Sequence, residues 1–351
     1  MGRLGVVLFN LGGPDSPEAV EPFLFNLFND PAIIGLPGVL RWPLAKFISR
    51  RRAPVATEIY RHLGGKSPLL EETEAQAEAL GHALAEYLGE GADKVRVFIA
   101  MRYWHPMTAA TVSAVKAFNP DNIVLLPLYP QFSTTSTGSS IKEWRRVAAA
   151  QGLAAPTRTV CCYPVEQGYI ESLAGLVRPA IEAAQKHGRF RVLFSAHGLP
   201  EKIIAKGDPY SWQIEATAGA LVKALSVAGL DHAVCFQSRV GRLKWIGPSL
   251  DDEIERAAMD GVAVVVVPIA FVSEHSETLV ELDIEYRDMA EKLGVPAYIR
   301  VPAIGVETTF ISALARIAAF ALKDGALKGD TQTCSAAGGR QCPAVHGQCP
   351  L

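Results

Sequence analysis

Short apolar runs rich in valine, leucine and isoleucine recur along nearly the whole chain, each followed by a longer stretch whose apolar residues repeat at helical spacing. No other feature restricts the fold as much. A strand that is apolar at every position is buried on both faces, and that requires helices on either side of a parallel sheet. The pattern predicts strands at Gly5 to Phe9, Val95 to Ala100, Ile123 to Leu128, Arg191 to Ser195, His232 to Phe236, Val262 to Val267 and Ala297 to Arg300. Helical periods run near Ser16 to Phe28, Leu69 to Leu88, Thr108 to Phe118, Ser139 to Ala150, Val165 to Lys186, Pro209 to Ala228, Glu277 to Leu293 and Val306 to Leu322. The strand series breaks around Gly152 to Tyr163 and then resumes. A chain of 351 residues is also too long for one typical core. We therefore expect two similar Rossmann-like α/β domains with parallel sheets covered by helices, residues 1–155 and 156–324, with a substrate cleft between them and a tail over 325–351.

Composition narrows the function. A hydrophobic share of 49% and a charged share of 20% describe a globular protein, and the formal net charge of -2 argues against nucleic acid as a partner. No apolar run approaches the length of a bilayer span, and the first ten residues already read as a strand. A cytoplasmic location is expected.

The segment Phe271 to Tyr286 follows the strongest buried-strand signal. On a helix, Glu277, Glu281, Glu285 and Asp288 share one face, and like charges four apart destabilise a helix by about 0.2–0.5 kcal/mol per pair. Such a stripe is either a solvated face or a place for a cation. Glu274 and His275, just past the strand end where open α/β sheets bind ligands, bring the second reading level with the first. Other strand ends add His197, followed by a glycine that allows a tight turn, and the group Arg102, Tyr103 and His105. The hydroxyl-rich run Leu128 to Ser140 enters a helix, either as a plain N-cap or as an anion-binding helix N-terminus.

Val39 to Arg52 has a different character. Leu40, Leu44, Phe47 and Ile48 share a face, Trp42 adds an interfacial aromatic, and Arg41, Lys46, Arg50, Arg51 and Arg52 supply positive charge. This is the pattern of a helix lying on a membrane surface, with an ordinary core-packed amphipathic helix as its rival. The tail is rich in Gly, Thr, Gln and Cys and lacks apolar periodicity, so something besides a core must order it. Its cysteines, Cys334, Cys342 and Cys349, with one thiol from the Cys161-Cys162 pair, would supply the four ligands of a [2Fe-2S] cluster; zinc or idle thiols are the alternatives. Cys235 lies on a predicted strand and reads as core.

The ordered set Gly12-Gly-Pro14, Gly64-Gly-Lys-Ser-Pro68, Tyr129-Pro-Gln131 with Thr137-Gly-Ser-Ser140, Ser195-Ala-His-Gly-Leu-Pro200, Gln237-Ser-Arg-Val-Gly241 with Trp245-Ile-Gly-Pro248, and the acidic segment resembles ferrochelatase over about residues 5–320. The resemblance implies insertion of ferrous iron into protoporphyrin IX to give protohaem. It implies that His197 accepts the pyrrole protons or holds the incoming iron, that Glu277 pairs with it, and that Glu281 and Glu285 carry protons away or lead iron in. Glu274 joins these as a metal candidate. It also makes Val39 to Arg52, within residues 33–52, the lip of a porphyrin pocket and a site of peripheral membrane attachment. Arg52, Tyr60 and Ser67 would hold propionates, and Leu11, Arg102, Tyr103, Tyr129 and Trp245 would line the ring. Leu11 stands where relatives place methionine or tyrosine and offers no metal donor. Some members carry a C-terminal cluster; Thr134 stands where the animal pattern has a ligand, which leaves Cys161 or Cys162 as the fourth, with Cys161 the preferred one. The expected partners are porphyrin, Fe(II) and the cytoplasmic membrane surface, and a homodimer is left open. The competing functions are another tetrapyrrole chelatase, taking cobalt, nickel or a coproporphyrin, and a non-catalytic porphyrin or haem carrier.

Overall fold

The computed structural model describes residues 2–89, 91, 93–239, 243–323 and 333–351. Val240 and Gly241 of the Gln237 motif, and residues 325–332 of the tail, lie outside the described residues. The chain divides into two compact units, one comprising residues 1–162, 314–339 and 351, the other residues 163–313 and 340–350.

In the first unit, β1 (Leu4–Asn10) is followed by α1 (Val20–Phe28), α2 (Gly38–Arg61), α3 (Leu69–Leu88), β2 (Val95–Met101), α4 (Thr108–Phe118), β3 (Asn122–Pro127), α5 (Thr137–Ala150) and β4 (Thr157–Val160). All seven residues of β1 are buried, as expected for the strand between β2 and β3 in a sheet covered on both faces. On one face Val7, Phe9, Ile123 and Leu125 pack with Val112 and Val115 of α4 and Trp144 of α5. Every pairing is parallel, in the order β2-β1-β3-β4. Strand β4 lies inside the predicted break, because Thr157, Arg158 and Thr159 hide the strand from an apolar-run criterion. A two-residue strand from the tail, Thr333–Cys334, pairs in parallel with β4 and ends the sheet.

The second unit contains α6 (Gln167–Gln185), β5 (Phe190–His197), α7 (Glu201–Ala205), α8 (Tyr210–Leu225), β6 (His232–Gln237), α9 (Leu250–Asp260), β7 (Ala263–Pro268), a π-helix (Glu277–Glu285), α10 (Tyr286–Lys292) and β8 (Tyr298–Arg300), followed by α11 (Thr308–Ala321). Its sheet is parallel in the order β6-β5-β7-β8. Val264 and Val266 of β7, Leu193 of β5 and Cys235 of β6 form a core with Leu250, Ile254 and Ala257 of α9 and with Tyr286 and Ala290 of α10. Each fully buried aliphatic side chain contributes about 1.5–3 kcal/mol, so β7 is a firm anchor for the segment that follows it. Helix α9 escaped the periodicity reading because its acidic first turn masks it. Ser249 and Asp252 close a capping box at its start.

The carboxyl ends of the four parallel strands lie side by side and present Gln237, His197, Pro268 and Arg300 in spatial order. Among the described residues no helix is long and apolar enough to cross a membrane.

Candidate active site

His197 is the last residue of β5, in register with Gln237 of β6. The Tyr210 hydroxyl donates to its carbonyl at 3.1 Å, and the next residue, Gly198, donates its N–H to the Gln237 carbonyl at 2.9 Å. A Cβ on Gly198 would come within 3.0 Å of that carbonyl and 3.3 Å of the Trp245 ring, so glycine is what lets the chain turn here. The His197 Nδ1 lies 2.6 Å from the Gly198 carbonyl oxygen. A carbonyl only accepts, so Nδ1 carries the hydrogen and Nε2 is left as the basic nitrogen. The side chain is 37% exposed, enough for a ligand to reach it.

Glu277 opens the π-helix between two imidazoles. Its Oε1 lies 3.7 Å from His197 Nε2 and its Oε2 lies 3.7 Å from His275 Nε2. Burial pushes the carboxyl up, but the two histidines outweigh it and hold Glu277 well below the usual carboxylate range. His275 is buried against Phe271, with ring centroids 4.7 Å apart, and its Nδ1 has no hydrogen-bond partner among the described residues. The sequence reading noted His275 as a neighbour and did not place it in the site. It precedes the helix, so helical spacing could not relate it to Glu277.

Glu281 is held from β6. It accepts from the Ser238 N–H at 2.8 Å, the Ser238 hydroxyl at 2.6 Å and the Gln237 amide at 3.1 Å. Ser238 adopts a left-handed φ of 62°, unusual outside glycine, and there its N–H and hydroxyl reach one carboxylate. Gln237 accepts in turn from the Ser195 hydroxyl at 2.7 Å and donates to the Glu277 carbonyl at 3.1 Å, which sets its amide orientation. Despite these donors, burial and the nearby Glu277 charge push the Glu281 carboxyl up to about 7. Two carboxylates one turn apart are thus driven in opposite directions, which is how a site obtains a base and an acid from the same residue type. Glu285, at the far end of the row, is exposed.

The segment predicted as one α-helix from Glu277 to Leu293 is a π-helix followed by α10. A π-helix is intrinsically rare and persists where side-chain ties hold its wide turns. Glu274 supplies one of them. Its Oε1 accepts from Arg300 Nη1 at 2.6 Å and from the Ala303 N–H at 2.9 Å, so the structure commits this metal candidate to Arg300. Among the described residues no three His, Cys, Asp or Glu side chains gather as a metal cage would require.

The first-unit candidates follow a different rule. Arg102 pairs with Asp30 at 2.7 Å and donates to the Ser139 hydroxyl at 2.7 Å; Tyr103 and Ser139 also donate to Asp30. The Asp30 carboxylate is only 2% exposed, and it is the anion that meets the start of α5, which answers the anion-site reading of the hydroxyl-rich loop from within the chain. Tyr60 and Tyr103 are buried together in a cluster that Leu11 joins, and Ser67 is buried with its N–H on the Pro14 carbonyl. Tyr129 is half-buried, and burial raises its hydroxyl well above the ordinary tyrosine value. Arg52 is exposed on α2, its guanidinium 5.9 Å from the centre of the Phe28 ring. In the second unit Trp245 bridges to Pro200 beside His197.

Cys161 and Cys162 are buried with their sulfurs 3.5 Å apart, and the tail strand brings Cys334 alongside, its carbonyl accepting from the Cys161 N–H at 2.8 Å. Burial and the neighbouring Cys162 push the Cys334 thiol up to about 11. In the other unit Cys342 is buried with Gln213 Nε2 donating to its sulfur at 3.1 Å, and Cys349 is half-buried.

The ferrochelatase family profile matches residues 3–321. The chain is similar to the ferrochelatase of Phenylobacterium zucineum, 54% identical over 347 residues that cover 99% of this chain and 97% of the relative. It is similar to that of Caulobacter vibrioides strain NA1000 / CB15N, 53% identical with 99% and 97% covered. The ferrochelatase of Rickettsia bellii strain OSU 85-389 is 47% identical, with 99% and 94% covered. In fold the chain resembles the sirohydrochlorin chelatase of Bacillus subtilis subspecies spizizenii in complex with cobalt, with a TM-score of 0.53 at 10% identity, covering 91% of this chain and 94% of that one.

Proposed function

Since the chain belongs to the ferrochelatase family, the lyases of haem biosynthesis that join ferrous iron to a porphyrin, we propose that His197 is the proton acceptor of that reaction and that Glu277 and Glu281 relay what it accepts. Free-base porphyrin carries two pyrrole N–H protons. As Fe(II) bonds to the four nitrogens both protons leave, so iron is gained and two protons are released with no change of oxidation state. A base must therefore stand within reach of the ring centre and be able to act twice.

The observation that carries the reading is the row His197 Nε2, Glu277, Glu281. The Glu277 carboxylate, held well below the usual carboxylate range, faces that nitrogen at 3.7 Å, in place to relay a proton taken there. Glu281, pushed up to about 7, accepts a proton near neutral pH, and Glu285 continues the row to the exposed end. Carboxylate oxygens and imidazole also suit passing Fe(II), so the same row serves the iron substrate as stations of moderate affinity. Of the residues assigned to the porphyrin, Arg52 is exposed and Leu11, Arg102, Tyr129 and Trp245 are half-buried; we assign Arg52 to a propionate and Trp245 to the ring. Loss of porphyrin fluorescence on adding ferrous iron, compared between wild type and His197→Ala, tests the assignment. Wild type should consume dye and metal together, whereas His197→Ala should bind the dye and leave it fluorescent. A wild type that binds porphyrin without consuming iron would return the protein to the carrier class.

Two further assignments concern α2 and the cysteines. Val39, Leu40, Trp42, Leu44 and Phe47 of α2 are exposed while Ala45 and Ser49 face inward, which supports peripheral attachment of this helix to a membrane carrying anionic lipid. For the cysteines the assignment rests on the family resemblance and the tail spacing alone: a [2Fe-2S] cluster would be held by Cys161, Cys334, Cys342 and Cys349. Such a cluster would supply electron-transfer capacity that iron insertion does not use. A visible absorption spectrum of freshly purified protein tests it, and a colourless sample holding one zinc per chain would remove it.

A further inference from the structure

Arg300 ends β8 with its side chain only 9% exposed, and its two terminal nitrogens point at different carboxylates. Nη1 meets Glu274 at 2.6 Å and Nη2 meets Asp283 at 2.5 Å. Glu274 lies three residues before the π-helix and Asp283 lies within it, so the two contacts bracket the turns that carry Glu277 and Glu281. The same strand makes further ties. The Tyr298 hydroxyl donates to the Leu282 carbonyl at 2.7 Å, and Arg287, which also pairs with Asp283 at 3.2 Å, donates to the Tyr298 carbonyl at 3.0 Å. On the β6 side Ser238 and Gln237 hold Glu281.

A turn closed by i→i+5 hydrogen bonds competes with the tighter α-turn, which any sequence rich in good helix formers can adopt. Drawing that turn in by one residue would rotate Asp283 relative to Glu274, and one fork could no longer span both. We propose that Arg300 is a positioning residue: its bridge between Glu274 and Asp283 keeps the π-turn wide and so keeps Glu277 beside His197. The inference rests on the proposed roles of His197 and Glu277, but it concerns a residue outside that row, its side chain only 9% exposed.

The experiment uses the full-length protein as Arg300→Met, Arg300→Lys, and the triple variant Glu274→Gln/Asp283→Asn/Arg300→Met, in which no buried charge is left unpaired by the loss of the arginine. Arg300→Met should lower kcat for iron insertion by about 10²-fold, with KM for porphyrin moving less than about threefold. Arg300→Lys, which keeps the charge and loses the fork, should recover part of the difference. The triple variant should regain the thermal midpoint of wild type without regaining kcat. Amides from Thr278 to Glu285 should exchange faster in both Arg300→Met and the triple variant. If the triple variant regains kcat together with stability, Arg300 only neutralises buried acid groups and the proposal fails. Unchanged exchange over that segment also overturns it. The exchange measurement judges the clamp even if wild type proves unable to insert iron, so failure of the proton-relay reading and failure of the clamp give different results.

Discussion

The segment Glu277–Glu285 of the second unit and α2 of the first both read as amphipathic helices, yet one draws carboxylates inward and the other turns apolar side chains outward. Glu277 is 26% exposed while Phe47 is 62% exposed, the reverse of what side-chain polarity alone prefers. The acidic segment manages this through groups from elsewhere in its unit: imidazoles, the Ser238 backbone and hydroxyl, and the Arg300 fork. For α2 the basic residues stay at the surface, with Lys46 and Arg50 on Glu21, and the apolar side chains of Val39, Leu40, Trp42 and Phe47 are exposed. Under the proposed function each departure from ordinary burial corresponds to a contact with something else, a reacting proton in one case and a lipid surface in the other.

The contrast would break most visibly at Glu277. Glu277→Gln keeps the shape and removes the charge, and kcat should fall by about 10²–10⁴-fold while porphyrin binding, followed by fluorescence, barely changes. Activity within tenfold of wild type would mean that the inward carboxylate is not needed. The next largest effect belongs to α2. Replacing Leu40, Trp42 and Phe47 together by serine should reduce flotation with anionic vesicles by at least about tenfold, since each large apolar side chain buried in lipid is worth on the order of 1.5–3 kcal/mol. Its thermal stability should stay within about 0.5 kcal/mol per site of wild type, because exposed positions carry little of the fold's stability. Binding that persists would move the membrane contact to another surface.

The smallest effect separates the two half-buried carboxyls by pH. Glu281 is raised from 4.5 to about 7 in the folded protein, so its contribution to stability is complete below 4.5 and is lost as pH rises through 7. Glu277 is lowered, so its contribution is present above 4.5 and is lost only in acid. Denaturant melts between about pH 5 and 8 should therefore show Glu281→Gln gaining on wild type as pH rises. A constant gap across that window would place Glu281 in its ionised form throughout and end its candidacy as a proton store.

Much of this molecule was legible from local pattern. Strands β1, β3, β5 and β7 announce themselves because a strand buried on both faces is mostly apolar, and α3 and α4 occupy the predicted residues because their periodicity runs up to left-handed caps at Gly89 and Asn119. The end of β5 is marked by a histidine and a glycine, so His197 stood out as a candidate from its position, and the family resemblance supplied its role. Strand β4 and the Thr333–Cys334 strand were not legible, since a short polar segment becomes a strand only when a neighbouring strand offers it hydrogen bonds. His275, Ser238 and Arg300 were missed as site or supporting residues for a related reason.

By itself the order of residues determined a parallel α/β chain with an acidic row placed just after a buried strand, because burial periodicity is a property of near neighbours. Tertiary structure alone decided that Glu277 sits between two imidazoles, that Glu281 is drawn toward neutrality, and that the row rides on a π-turn. Those outcomes depend on donors far away in the chain, Ser238 lying 43 positions from Glu281 and Arg300 lying 26 from Glu274, and on loss of water around them. Charge and hydrogen bonding act through space, and no local period encodes which distant groups will arrive.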